Sequence, residues 1–258
     1  MTFFESAFLG LVQGLTEFLP VSSSGHLVIF QKLLNVGNQI EFDVFLHFAT
    51  LIAVLIFFKN DILEILKGIF GKSESGLKTL IGIIIGSVPT AVIGLLFKDF
   101  FENKFSQPKT VAAMWIVTGF ILWLSSFSKA GSKLDATDKN YSNTKITDFL
   151  LVGLFQGITI MPGISRAGIT ISVALLLGFN RNWAFKYSML LSIPAILGAG
   201  LLGLKNLSVN TNILAGGIVA VVSGILALYI LSKIIIGKKF HTFSYYLWTV
   251  GILGLMFL

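Results

Sequence analysis

Apolar runs separated by short polar loops set the pattern of this chain. Six runs, at about 42–58, 79–97, 110–127, 184–204, 212–232 and 244–258, are uninterrupted and predict full membrane-spanning helices. A helix of about 17–25 apolar residues is what the hydrocarbon core requires. Two further apolar regions, 3–30 and 149–179, are each broken in the middle, the first by LPVSSSGH and the second by MPGISRAG. Proline removes a backbone donor and glycine weakens a helix, so both regions are expected to come apart there. Irregular backbone survives at membrane depth only when protein buries it or it lines a wet cavity.

The two breaks resemble each other. LVQGLTEFLPVSSSGH near the front matches LFQGITIMPGISRAG from Leu154 onward. Gln13-Gly14-Leu15-Thr16 returns as Gln156-Gly157-Ile158-Thr159, and Pro20 and Ser23 return as Pro162 and Ser165. An offset of about half the chain indicates an internal duplication. If each broken segment is re-entrant and each half adds three spans, the odd number of crossings inverts the second copy. Of the 19 basic residues, that arrangement puts thirteen on one side and five on the other, with Arg166 inside a break. Such a split is what the positive-inside rule requires, and it puts both termini outside. Inverted repeats with broken helices carry their site where the repeats meet.

The expected fold is therefore all-α: one integral membrane domain over 1–258, with six full transmembrane helices and two re-entrant broken-helix segments. Its inverted-topology repeats span approximately 1–127 and 149–258, joined by a polar linker at 128–148.

Composition agrees. The chain is 55% hydrophobic and 12% charged, about half the charge of a soluble domain, and its mean hydropathy is +0.87. The net charge of +7 lies in short loops between spans and reads as membrane topology, with no nucleic-acid partner. With no cysteine, disulfides and thiolate metal sites are excluded. The N-terminus lacks a basic region and a small-residue cleavage site, so a signal peptide is not expected.

The breaks hold the candidate chemistry. Glu17 is a carboxylate at bilayer depth, which needs a partner or a wet cavity. Gln13, four residues earlier, shares its helical face and could join it as a metal ligand, though it offers only a neutral oxygen. Ser22, Ser23 and Ser24 follow, then Gly25 and His26. A hydroxyl beside an imidazole can form a nucleophile or protonate a leaving oxygen, and a serine after proline can also simply cap a half-helix. Arg166 is the strong cation at the second break, and guanidinium matches phosphate oxygens. Ser165, Gly163, Gly168 and Thr170 surround it with hydroxyls and backbone donors, a composition that cradles phosphate. A purely structural pair of Arg166 with Glu17 is the alternative. Asp43 and His47 near the end of a span, and His241 in a basic loop, point to interfacial or solvated roles. The 24 phenylalanines fit lipid, core or a polyprenyl groove equally well. Pro89 marks a kink in the second span.

With these residues assembled, the chain resembles the undecaprenyl-diphosphatase family of the bacitracin-resistance type. Its (E/Q)xxxE motif stands here as Gln13 to Glu17, running into FLPVSSSGH, and its PGxSRSxxT motif as PGISRAGIT, Pro162 to Thr170. The resemblance implies a multi-pass enzyme of the bacterial plasma membrane whose site opens to the extracytoplasmic side. Its implied reaction is hydrolysis of undecaprenyl diphosphate to the monophosphate, which recycles the lipid carrier of cell-wall synthesis and confers bacitracin resistance. It also implies a divalent cation, Mg2+ or Ca2+, and partners limited to the polyprenyl diphosphate lipid and the bilayer, with a homodimer left open. Glu17 falls at the family's essential glutamate, Ser22, Ser23 and His26 at its hydroxyl and imidazole cluster, and Arg166 at its diphosphate-binding arginine. Ala167 replaces the serine that follows the arginine in the motif. The expected mechanism has Ser23, or Ser22, attack phosphorus or orient water while His26 handles the proton, with histidine in place of serine as the nucleophile left open. The alternative from another class is a polyprenyl-phosphate transporter or flippase, since inverted repeats with charges at mid-depth also suit transport.

Overall fold

The computed structural model describes residues 1–37, 39–105, 107–128, 139–203 and 210–257. The expected linker therefore lies outside the described residues over 129–138, as do Lys129, Lys133 and Lys205 and the last residue of the final span. Eleven α-helices make up the described chain. They are α1 (Phe3–Phe18), α2 (Ser23–Leu33), α3 (Ile40–Phe57), α4 (Lys59–Ile69), α5 (Glu74–Phe105) and α6 (Pro108–Leu124), then α7 (Ile146–Ile158), α8 (Arg166–Leu176), α9 (Arg181–Gly203), α10 (Thr211–Ile236) and α11 (Phe243–Phe257).

The six expected spans are α3, α5, α6, α9, α10 and α11. Four of them, α3, α5 to Phe97, the α6 segment to Phe127, and α10, are long and apolar enough to cross a membrane. The chain is an all-α polytopic membrane protein. Helix α5 is longer than the run that announced it and continues through Pro89. Helix α4 was not anticipated. Its sequence carries charges at Lys59, Asp61, Glu64 and Lys67, too many for a span, yet Gly68 lets it lie directly on the backbone of α5 at Gly76 and Leu77. Leu63, Leu66 and Ile69 remain exposed on α4, as an amphipathic helix beside a bilayer requires. Beside Glu64, the ammonium of Lys67 holds that carboxyl below its ordinary range.

Both broken regions fold back on themselves. Phe8 on α1 and Phe30 on α2 touch edge to face with ring centroids 5.2 Å apart. A continuous helix would separate them by about 33 Å at 1.5 Å per residue. Phe149 on α7 likewise meets Phe179, just beyond α8, at 6.4 Å. Each pair of half-helices is thus a hairpin that returns towards the side it came from. The breaks have local causes. Leu19 is extended (φ −62°, ψ 143°) because the Pro20 ring disfavours helical backbone before it. Gly163 takes φ +92°, and a Cβ there would lie 2.5 Å from the Val111 carbonyl, so the second turn fits against α6 only as glycine.

The halves exchange their broken segments. Helix α1 docks on α10 with Gly10 against the Gly216 carbonyl, and α7 docks on α5 with Gly153 against the Gly86 carbonyl. Gly14 and Gly157 make the next contacts, on Ser223 and Ile93. Gly10 and Gly153 stand at the same offset as Gln13 and Gln156, so the two docking contacts fall at matching positions of the two motifs.

Two poles close the architecture. At one, Lys186 pairs with Asp61, Lys139 with Asp148, and Arg181 Nη1 donates to the Ile235 carbonyl. At the other, Asn212 Nδ2 donates to the Met1 carbonyl at 3.1 Å, with Gln39 and Asn210 close by. Helix α10 joins the poles, a rise of about 39 Å over its length. The first pole carries the lysine-rich loops.

Candidate active site

Glu17 ends the last turn of α1 and Arg166 begins α8, so each break delivers one charged group to the same place. Arg166 Nη2 donates to Glu17 Oε1, and Arg166 Nη1 donates to the Ser192 carbonyl at 3.4 Å. Glu17 is 7% exposed and takes three further neighbours on Oε2. Ser23 Oγ donates to it at 2.6 Å, Gln13 Nε2 donates at 3.0 Å, and His47 Nε2 stands 3.5 Å away. A buried carboxylate is tolerable only with such partners, and this one has a full set.

The second break is held by small polar groups. Ser165 caps α8, its Oγ accepting from Gly168 N at 3.1 Å, and its own N–H donates to Thr118 Oγ1. Thr170 Oγ1 donates to the Arg166 carbonyl at 2.8 Å and also bonds Ser188. A Cβ at Gly168 would lie 3.2 Å from Pro20 Cβ, so the two breaks are in direct contact there. Gly25 is required for a different reason, since a Cβ would lie 2.6 Å from Trp115 Nε1. Ser22 sits at φ +68°, a left-handed conformation rare for serine, and shares a hydrogen bond with Ser24 across 3.3 Å.

The expected hydroxyl–imidazole pair is not formed. Ser23 bonds Glu17, and His26 turns elsewhere: its Nδ1 lies 2.8 Å from the Ser22 carbonyl and its Nε2 2.7 Å from the Tyr246 hydroxyl on α11. Of the three serines, Ser23 alone donates to a carboxylate. Two neighbours escaped sequence reasoning. His47 joins Glu17 instead of sitting solvated at an interface, and Tyr246 joins His26 from the far end of the chain. His47 had a signal: it is an imidazole inside an apolar run, the same anomaly that marked Glu17. Tyr246 had none, because a tyrosine near a helix end is ordinary at a membrane surface.

A cation site is narrower than a preformed cage. Among the described residues no group of three or more His, Cys, Asp or Glu side chains could hold a metal. Gln13 Oε1, however, is buried with no hydrogen-bond partner, four residues from the Glu17 carboxylate. One carboxylate and one spare amide oxygen fit a hard cation that draws its remaining ligands from phosphate and water, as Mg2+ commonly does.

The chain as a whole is similar to known proteins. Residues 6–253 match the sequence model of the family described as bacitracin resistance protein BacA. The chain belongs to that family. An undecaprenyl-diphosphatase of Halothermothrix orenii is 48% identical, covering 98% of this chain and 97% of the relative. One of Carboxydothermus hydrogenoformans is 46% identical over 98% of this chain and 96% of its own length. One of Methanococcus maripaludis strain C6 is 39% identical over 98% of this chain and all of the relative. The BacA match spans both breaks, and every residue of the site, from Gln13 to Tyr246, lies within it.

Proposed function

We propose that this protein hydrolyses undecaprenyl diphosphate to undecaprenyl phosphate and inorganic phosphate, recycling the lipid carrier of cell-wall polymers. The observation that carries this function is the chain of contacts Ser23–Glu17–Arg166 across the two breaks. The names borne by its BacA-family relatives support the same substrate.

The chemistry follows from what each group can do. Arg166 offers a planar fork of donors that suits phosphate oxygens, so an incoming diphosphate competes with Glu17 for it. Once Arg166 turns to the substrate, Glu17 is released from the guanidinium with Oε2 still against the Ser23 hydroxyl, the arrangement a general base requires. Ser23 Oγ bonds the terminal phosphorus while its proton passes to Glu17 Oε2. The bond from that phosphorus to the bridging oxygen breaks, and undecaprenyl phosphate leaves. Water then attacks the seryl phosphate, and its proton passes towards His26 Nε2 as that nitrogen becomes protonated. The bond between phosphorus and Oγ breaks, Glu17 returns its proton to Oγ, and phosphate departs. His26 finally loses the extra proton to water, so one water is consumed for one anhydride cleaved. Arg166 and the N–H groups at the start of α8 face the charge that gathers on the equatorial oxygens. A divalent cation, Mg2+ or Ca2+, held by Glu17 and Gln13 would neutralise further phosphate charge.

The enzyme is assigned to the cell membrane with its site opening on the extracytoplasmic side. Support comes from His47, whose side chain beside Glu17 is 33% exposed. It lies two turns from the Ile40 end of α3, towards the pole poor in lysine. Transport of the lipid is the rival function, and it is not favoured, because a hydroxyl held on a buried carboxylate serves bond cleavage and has no part in carriage. Phosphate release separates the two. Purified protein in detergent, given undecaprenyl diphosphate and Mg2+, should release phosphate with no second compartment. Absence of release, with lipid moving across vesicle membranes, would assign it to transport instead.

A further inference from the structure

We propose that Tyr246 orients His26 and relays its proton: the hydroxyl holds the imidazole in the form that accepts a proton at Nε2, hands that proton over while taking one from water, and remains bonded to Nε2 afterwards. This rests on the phosphatase reading for its consequence in catalysis, but the pairing itself is independent of it. His26 Nδ1 faces the Ser22 carbonyl at 2.8 Å, and a carbonyl can only accept, so Nδ1 carries the hydrogen. In the neutral ring Nε2 then bears the lone pair, and the Tyr246 hydroxyl 2.7 Å away must be the donor. Nε2 is thus the atom able to take a proton, and because its one lone pair is directed at Tyr246, the proton from water reaches it through that hydroxyl, which passes its own proton to Nε2 and takes the one from water in exchange.

A hydroxyl is the side-chain group that suits both states of that nitrogen. It donates to Nε2 while the imidazole is neutral and accepts from Nε2–H once the imidazolium has formed. An amide or ammonium donor would favour one state and oppose the other. The tyrosine is also firmly placed. Its ring lies nearly parallel to the imidazole at 11°, with Trp115 packed on His26 at 5.1 Å. Helix α11 is locked to α6 by two glycines: a Cβ at Gly119 would lie 2.6 Å from Trp248 Nε1, and one at Gly251 would lie 2.9 Å from the Ala112 carbonyl. The last helix of the chain therefore completes the first break, across 220 residues of sequence.

Tyr246→Phe removes the hydroxyl and keeps the ring. Its kcat should fall about 10- to 100-fold, in the range of a weakened proton transfer, while KM changes less than about twofold. Tyr245→Phe, whose ring packs on Trp248 one position away, should leave both constants unchanged. The chain has three histidines, so 15N-histidine labelling gives a spectrum simple enough to read. The Nε2 resonance of His26, assigned with His26→Gln, should move in Tyr246→Phe while those of His47 and His241 stay. Wild-type kcat in Tyr246→Phe, or an unmoved His26 resonance in a monodisperse sample, overturns the proposal. Absence of phosphate release from the wild-type protein would instead overturn the phosphatase reading, and the resonance shift would still decide the pairing.

Discussion

Glu17 and Arg166, 149 residues apart in sequence, meet as an ion pair buried between the two breaks. The pair is the lock between two half-helix hairpins that belong to different halves of the chain. It is also the contact that a diphosphate, itself an anion, is chemically equipped to open. Structure and catalysis thus share one interaction, and each of the following predictions probes one side of that sharing.

The glycine contacts should carry stability without touching chemistry. Replacing Gly10 by Val forces α1 off the Gly216 carbonyl, and replacing Gly153 by Val forces α7 off the Gly86 carbonyl. Each is expected to destabilise by about 1–3 kcal/mol, as overpacking does. Thermal unfolding in detergent reads the loss. Similar losses at the two sites are expected, since the two contacts are counterparts, and an unchanged melting temperature at either would contradict the docking described.

Gln13 is expected to set the cation dependence proposed above. Gln13→Glu places a second carboxylate on the face that holds Glu17. The concentration of Mg2+ or Ca2+ for half-maximal phosphate release should drop about tenfold, because affinity for hard cations follows ligand charge. Gln13→Leu should raise it, and chelation should abolish turnover in all three proteins. Identical cation titrations across the series would remove Gln13 from the site.

His47 is expected to act through Glu17. His47→Leu removes a neighbour of Oε2 and should lower kcat about 3- to 10-fold, the worth of one hydrogen bond. His47→Gln keeps a donor and should recover most of that loss. A Leu variant with wild-type kcat would make the 3.5 Å approach incidental.

Much of this was legible from the letters. The six apolar helices, the two breaks and the Gln13, Glu17 and Arg166 positions stand out because polarity is expensive in hydrocarbon, and each anomaly advertises itself. Helix α4 was missed because its alternating charges resemble a loop, and its docking depends on Gly68 finding the α5 backbone. The partner of Ser23 was misjudged for a related reason. Ser23 and His26, three residues apart, share a helical face, but Glu17 takes the Ser23 hydroxyl and Tyr246 takes the imidazole. Contacts made across 220 residues are fixed by tertiary packing, which local pattern does not carry.

The most direct test of the central claim is a double-mutant comparison of phosphate release by Glu17→Ala, Arg166→Ala and the combined variant, all checked for monodisperse elution. Each single change should lower kcat/KM by about 10²–10³-fold or more, the scale of losing a group that stabilises developing charge. The combined protein should be little worse than the poorer single variant, because groups acting as one unit lose their effect together. Near wild-type turnover in Arg166→Ala, or losses that multiply independently, would contradict a single site built from both breaks.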